Sequence, residues 1–262
     1  MESSIVSETR RRPRLDLQDR RLWALAALVL TIVLFASWQI RGRMLDARLL
    51  RAAPDSILSD PGLTRHAVSI AKPAFAKDCA ACHGKDMKGS HAKGAPDLTD
   101  AVWLYDSGEV TEIERTVLFG IRSPNRKARN VTDMPGLGRS GQITAGDTRD
   151  VMAYLDKLQG KAPPADAAAL ERGFKIWNDK GSCYDCHSED GKGVSAYGAP
   201  DLTDKEWIYG GDRKAIFDSI VHGRHGVCPA FIDKLRPAVI RALAVYIKAA
   251  SLQAAAPSGA KS

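Results

Sequence analysis

Cys79-Ala-Ala-Cys82-His83 and Cys183-Tyr-Asp-Cys186-His187 stand 104 residues apart in a chain of 262, and their surroundings repeat at that same offset. Ala95-Pro-Asp-Leu-Thr-Asp100 returns as Ala199-Pro-Asp-Leu-Thr-Asp204, and Trp103 and Tyr105 return as Trp207 and Tyr209. A duplicated unit of this kind has to fold twice around one chemical motif. C-x-x-C-H reads as covalent attachment of c-type haem. Each sulfur forms a thioether to a haem vinyl, and the adjacent imidazole is held against the iron. The expected cofactors are therefore two covalently attached haem c groups, bound by Cys79, Cys82 and His83 and by Cys183, Cys186 and His187. The competing reading, one zinc site built from the four cysteines, has acceptable ligands but leaves both histidines and the repeat unexplained. A thioredoxin-like motif needs a βαβ context that the sequence lacks.

The length allows about two domains. Leu22 to Ile40 is a 19-residue run without a charge, about 28 Å as a helix and close to the ~30 Å hydrocarbon core. It is longer than the apolar core of a signal peptide and lacks a convincing cleavage site, so it reads as a retained anchor with Trp23 and Trp38 near the two interfaces. Six arginines precede the run and four follow it before position 52, which favours a cytoplasmic N-terminus. The expected layout is an Arg-rich cytoplasmic segment 1–21, a transmembrane anchor 22–40, a linker 41–66, a first haem domain 67–160, a linker 161–166, a second haem domain 167–252 and a disordered tail 253–262.

The net charge of +7 does not indicate nucleic acid. Residues 1–51 carry ten Arg against five acids, leaving 28 basic and 26 acidic side chains beyond them. The basic excess serves topology and anionic lipid rather than a phosphate-binding surface. The apolar spacing is helical throughout. Val151, Tyr154, Leu155 and Leu158 predict a helix stopped near Gly160, and Val239, Ile240, Leu243, Tyr246 and Ile247 predict its counterpart. Each domain is thus expected to close with its own amphipathic helix. Further helices are expected around Ala67 to Lys77 and Ala167 to Asp179.

A six-coordinate haem needs a second axial ligand, commonly Met in cytochromes c. The chain has five methionines, at positions 1, 44, 87, 134 and 152. Met134, followed by Pro135 in a loop, is the candidate for the first haem; the bland alternative is a buried core methionine. No Met follows position 152, and Cys228-Pro229 stands where the first repeat has Met134-Pro135. For the second haem Cys228 is the aligned candidate, His222 and His225 are nearby alternatives, an open position is another, and a merely buried Cys228 is the structural one. The metal-site residues are then His83, Met134, His187 and Cys228. Axial ligands set haem potentials over about 0.8 V, so a thiolate would leave the second haem harder to reduce than the first.

Together these features resemble class I cytochromes c, and the arrangement is similar to the membrane-anchored di-haem subunit of cbb3-type cytochrome c oxidases. The likeness rests on Phe75-Ala-Lys-Asp-Cys-Ala-Ala-Cys-His-Gly84, Gly94-Ala-Pro-Asp-Leu-Thr-Asp100 with Trp103 and Tyr105, Gly120-Ile-Arg-Ser123, Met134-Pro135 and Gly223-Arg-His-Gly-Val-Cys-Pro-Ala230. It implies an all-α fold with one transmembrane helix and two tandem class I cytochrome c domains in the periplasm. It implies electron transfer from a periplasmic donor towards an oxidase catalytic subunit, in company with a mono-haem cytochrome subunit and the membrane, without a catalytic site of the chain's own. Pro96 and Pro200 match the proline whose carbonyl accepts from the proximal imidazole. Trp103, Tyr105, Trp207 and Tyr209 are expected to pack around haem, and Arg122, Arg126, Lys127 and Arg129 to form a solvated basic loop, a haem-propionate contact being the rival reading. Cys228 departs from the family's methionine. His/Cys-ligated haems also occur in sulfur-oxidising c-type cytochromes, and a freestanding carrier or a haem sensor are the other readings.

Overall fold

The computed structural model describes residues 17–130, 132–162 and 166–255 and divides after Ala47 into two units. The first is dominated by helix α1, Leu17–Arg51, whose stretch from Leu22 to Ile40 exposes Trp23, Leu28, Phe35 and Trp38 by more than half. By length and composition the segment from Arg20 to Arg51 is able to cross a membrane.

The second unit is all-α, with no strand among the described residues beyond isolated bridges. After a 3-10 turn at Pro54–Ser59 come α2 (Pro61–Asp78), α3 (Ala80–His83), α4 (Val110–Phe119), α5 (Ala145–Leu158), α6 (Ala167–Asn178), α7 (Tyr184–His187), α8 (Arg213–His222) and α9 (Pro237–Ala255). Local chemistry starts several of the helices. Asp60 accepts from the amides of Gly62 and Leu63 ahead of α2, with Pro61 at the first helical position. Thr144 and Asp147 form a reciprocal capping box on α5, and Asp212 accepts from the Ala215 amide on α8. Leu63, Ala67, Ala71 and Phe75 recur every fourth residue and give α2 one buried face.

These helices build two hydrophobic cores, and the chain does not fill them in order. One core takes Leu49, Ile57, α2, α4 and then, from the far end of the sequence, Phe231 and α9. The other takes a continuous stretch: Leu137, Ile143, α5, α6 and α8, with Ile176, Trp177, Ile216 and Ile220 at its centre. α5 packs mainly on α6, and α9 on α2 and α4. The repeats have therefore exchanged their second halves, leaving an inner unit nested inside an outer one. This differs from the expectation that each haem domain closes with its own helix. The segment 161–166, expected as an interdomain linker, lies between α5 and α6, which share the inner core; its residues 163–165 lie outside the described residues. The physical reason is chain length. Only eight residues separate Leu158 from Ala167, a connection typical of helices that pack directly on one another.

The exchange is reciprocal down to the backbone. Ile121 and Cys228 trade N–H to C=O bonds of 2.9 and 3.0 Å, while Arg224 and Met134 trade bonds of 2.9 and 3.2 Å. The Phe231 amide donates to Val117 at 3.1 Å, and the Leu137 amide to Ile220 at 3.1 Å. Gly120 (φ +78°) and Gly223 (φ +74°) make the two turns at which the chain crosses. A Cβ on either would lie 2.4 Å from the carbonyl oxygen of Cys228 or Met134 respectively, and the positive φ is itself costly for any side chain.

The segment 41–66, expected as a linker, is instead the end of α1, the 3-10 turn and the first turn of α2. Leu49, Ile57 and Leu63 are buried in it. Arg241 of α9 fixes it, donating to Leu49 and Ala52 carbonyls and, at 2.6 Å, to the Glu114 carboxylate. α9 reaches Ala255, beyond the start expected for a disordered tail; residues 256–262, like 1–16, lie outside the described residues.

A test of the inner packing lies at Gly173 on α6. Ala is favoured over Gly in a helix by about 1 kcal/mol, but a Cβ here would stand 2.1 Å from the Asp150 carbonyl of α5. Backbone meets backbone, so overpacking at ~1–3 kcal/mol or more outweighs the propensity gain. G173A is expected to lower stability in denaturant titration; a stabilised variant would refute the close approach.

Candidate haem sites

Both C-x-x-C-H motifs form a single short helical turn, α3 and α7, entered from the end of a long helix. The amides of Gly84 and Ser188 close those turns on Ala80 and Tyr184, at 3.0 and 2.9 Å. From there the two sites repeat bond for bond. His83 Nδ1–H donates to the Pro96 carbonyl at 3.1 Å and His187 Nδ1–H to Pro200 at 3.2 Å. A carbonyl only accepts, so the proton sits on Nδ1 and the Nε2 lone pair is left for a metal. Asp97 and Asp201 each accept from the backbone amide and hydroxyl of the threonine two residues on, at 2.6 to 2.7 Å. The Leu98 and Leu202 amides donate back to Met87 and Gly191 at 2.8 Å.

Burial holds both imidazoles below the ordinary histidine range, against the opposing effect of the prolyl carbonyls. They are neutral imidazoles ready to ligate. All five cysteines are free. Burial pushes Cys79 up to about 12 and Cys183 up to about 11. Cys79 belongs to the outer core and Cys183 to the inner one. The four-cysteine zinc reading therefore finds no common site, and among the described residues no three His, Cys, Asp or Glu side chains gather as a metal-ion site.

Cys228 and Met134 each fall in with the other repeat. Met134 packs against the inner core, as Cys183 does. The half-buried Cys228 lies close to Cys79 and Cys82: burial raises its thiol to about 11 with Cys82 adding to the effect, and Cys228 in turn adds to the rise at Cys79. The exchange of half-repeats is the cause, because each loop follows the helix it precedes into the other core. The alternatives at the second site fare differently. His225 is exposed and pairs with Asp133 at 2.7 Å, and His222 is exposed at the end of α8.

The tryptophans of the aromatic pairs pack into the separate cores, and the tyrosines line the seam between the inner and outer parts. Tyr105 packs on Gly198 and Tyr209 on Gly94, each so closely that a Cβ on the glycine would lie 2.2 or 2.4 Å from ring atoms. Arg129 stacks over Tyr105 at 5.0 Å and Arg224 over Tyr209 at 4.5 Å. Arg126 and Lys127 are exposed as expected of a basic loop, but Arg129 is 9% exposed and ion-paired with Asp106. Sequence spacing gave no sign of that burial.

The donor set suits covalent haem: in each unit a free thiol pair, an imidazole oriented through Nδ1 and an apolar helical core converge on one turn. A fold and site of this kind define a c-type cytochrome. The sequence comparisons agree. Residues 68–159 match the cytochrome c family, and residues 168–247 match "Cytochrome C oxidase, cbb3-type, subunit III". The subunit FixP of a cbb3-type oxidase from Bradyrhizobium sp. (strain ORS 278) is 37% identical over 209 residues, covering 80% of this chain and 69% of that protein. The subunit CcoP of Cereibacter sphaeroides is 35% identical over 192 residues, 73% of this chain and 64% of that protein. That of Rhodobacter capsulatus is 33% identical over 213 residues, 78% and 69% respectively. The chain belongs to the cbb3-type cytochrome c oxidase subunit III family, and α1 marks it as membrane-anchored.

Proposed function

We propose that the chain carries two haem c groups and passes electrons from a periplasmic donor to the oxygen-reducing catalytic subunit of a cbb3-type oxidase, alongside the mono-haem cytochrome subunit. In this reading α1 crosses the cytoplasmic membrane and the haem units face the periplasm. Cys79 and Cys82 hold one haem and Cys183 and Cys186 the other, with His83 and His187 as proximal ligands. The second sulfur ligand of each haem would come from the other repeat: Cys228 would serve the His83 haem and Met134 the His187 haem. The observation that carries the reading is the pair of histidines, each with Nδ1 committed to a prolyl carbonyl and Nε2 left over, on two C-x-x-C-H turns.

Bound haem supplies one-electron exchange at its iron. The chain's part is to hold and tune it. The prolyl carbonyls fix the imidazole tautomer and raise its basicity as a ligand. The helical cores exclude water, and the Cys228 and Met134 sulfurs set the two units at different potentials. Tyr105 and Tyr209 keep the units in close register across the seam.

Mass spectrometry of the membrane-extracted protein is expected to show two haems per chain, with C79A/C82A and C183A/C186A each losing one. Copurification with a large oxidase subunit and loss of oxygen consumption on deletion complete the test. A solitary protein with unchanged respiration would refute the oxidase role. Cys228 alone favours a second reading, oxidation of a sulfur compound, for which thiosulfate-dependent reduction of the purified protein is the check.

A further inference from the structure

Trp103 packs into the outer core and Trp207 into the inner one, so each roots its segment in its own repeat. The tyrosine two residues on does the opposite. Tyr209 of the inner repeat abuts Gly94 of the outer one, and Tyr105 of the outer repeat abuts Gly198 of the inner one, with no room for a Cβ at either glycine. Both glycines are left-handed, at φ +61° and +66°, and each ends a 3-10 turn, His91–Lys93 or Ser195–Tyr197. Each ring is also held by a guanidinium that is itself tied down. Arg224, stacked on Tyr209, donates to Ser219 Oγ at 2.9 Å, and Arg129, stacked on Tyr105, pairs with Asp106. A ring between a fixed cation and backbone has little room to move.

Two residues beyond each glycine stands the carbonyl that orients a proximal histidine. Gly94-Ala95-Pro96 and Gly198-Ala199-Pro200 belong to short closed loops. Ser90 and Ala95 exchange backbone hydrogen bonds of 2.8 and 3.1 Å, and the Ala199 amide donates to Val194 at 3.3 Å. The Gly89 and Gly193 amides donate to the His83 and His187 carbonyls at 2.9 and 3.0 Å, which ties each loop to the motif it serves. Pro96 and Pro200 then accept from the two imidazoles. The route from Tyr209 to His83, and from Tyr105 to His187, is therefore one glycine, one alanine and one proline long. That last hydrogen bond raises the basicity of the imidazole as a ligand, so whatever fixes the loop bears on the iron.

We infer that Tyr105 and Tyr209 are crossed positioning residues: each sets the proximal imidazole of the other repeat's haem by fixing the loop that carries its proline. The inference rests on the haem assignment above, so haem content is measured first and separately. A wild type without haem at either motif would overturn that assignment and this inference with it. In the loaded protein, Y209A frees the Gly94 loop, lengthens the hydrogen bond from His83 and leaves its imidazole a weaker donor, so ferric iron is less stabilised. The expected result is a reduction equilibrium constant at the His83 haem raised about tenfold (~59 mV for one electron) and altered pulsed-EPR couplings of its proximal imidazole nitrogens. The His187 haem should stay as in wild type. Y105A is expected to do the reverse, moving the His187 haem and sparing the other. C79A/C82A and C183A/C186A, each expected to keep a single haem, supply the reference spectra that tell the two apart. Y209F and Y105F keep the ring against the glycine and are expected to give wild-type potentials. Where an alanine variant fails to hold haem, Y209L and Y105L fill part of the space and decide the question. A shift at the haem of the tyrosine's own repeat, equal shifts at both haems, or none would overturn the inference and leave the tyrosines as packing at the seam.

Discussion

Replacing Cys228 with Met is expected to raise the midpoint potential of the haem at Cys79 and Cys82, and to leave that of the haem at Cys183 and Cys186 nearly where it was. The shift should be large, on the order of several hundred millivolts out of the ~0.8 V that axial ligands span. An anionic thiolate stabilises ferric iron, whereas a thioether is neutral and favours the reduced state. Potentiometric titration followed by EPR separates the haems, because loss of a thiolate signature tags the one that changed. The identity of the responding haem is the informative part. In tandem domains folded independently, Cys228 would belong to the second haem, and that haem would respond. In the nested arrangement Cys228 is electrostatically coupled to Cys79 and Cys82, so under the proposed crossed assignment the order of potentials would be inverted, with electrons resting on the His187 haem. A response at the second haem would sink the crossed assignment, and no response at either would remove Cys228 as a ligand.

Truncation after Arg236 is the second large effect. Two tandem domains would lose only the last helix of the second. Here the loss falls on the first haem motif, because α9 fills the outer core. Ile240, Leu243, Val245 and Ile247 are each at most 6% exposed, and at ~1.5–3 kcal/mol per buried large side chain they contribute about 6–12 kcal/mol. That equals most of a domain's net stability of ~5–15 kcal/mol. Arg241 goes with them, leaving Glu114 at 13% side-chain exposure without its partner. The truncated protein should therefore release residues 48–130 to limited proteolysis while 134–222 stay protected, and the Cys183 haem should keep its spectrum. Protection of the Cys79 region would contradict the nesting.

Much of the site was legible from sequence because its chemistry is local. The two C-x-x-C-H turns and the prolines 13 residues beyond each histidine depend on spacing alone, and the structure builds each as the spacing indicates. Helix α5 was legible from period 3.6 and the glycine after it. Pairing between distant segments was not, since a repeat aligned with itself gives the same apolar stripe whichever core receives it. Only the short separation of eight residues between Leu158 and Ala167 hinted that α5 would meet α6. Residues 41–66 were harder to read for a related reason: Leu49, Ile57 and Leu63 pack into a core completed by α9, about 180 residues away in the chain. Arg129 was read with its exposed neighbours Arg126 and Lys127 because charge runs carry no record of an aromatic ring folded over one member.

The nested order also fixes a schedule. Synthesis at ~5–20 residues per second separates His83 from Ala255 by roughly 10–30 s. Over that interval α2, α3 and α4 have no closing helix, while the inner unit has every helix it needs once His222 has emerged. The haem motif made first is the last to be enclosed. Its thiols thus stay open to chemistry, whether attachment or oxidation, for about 2–7 s of synthesis after those of the second motif have been covered.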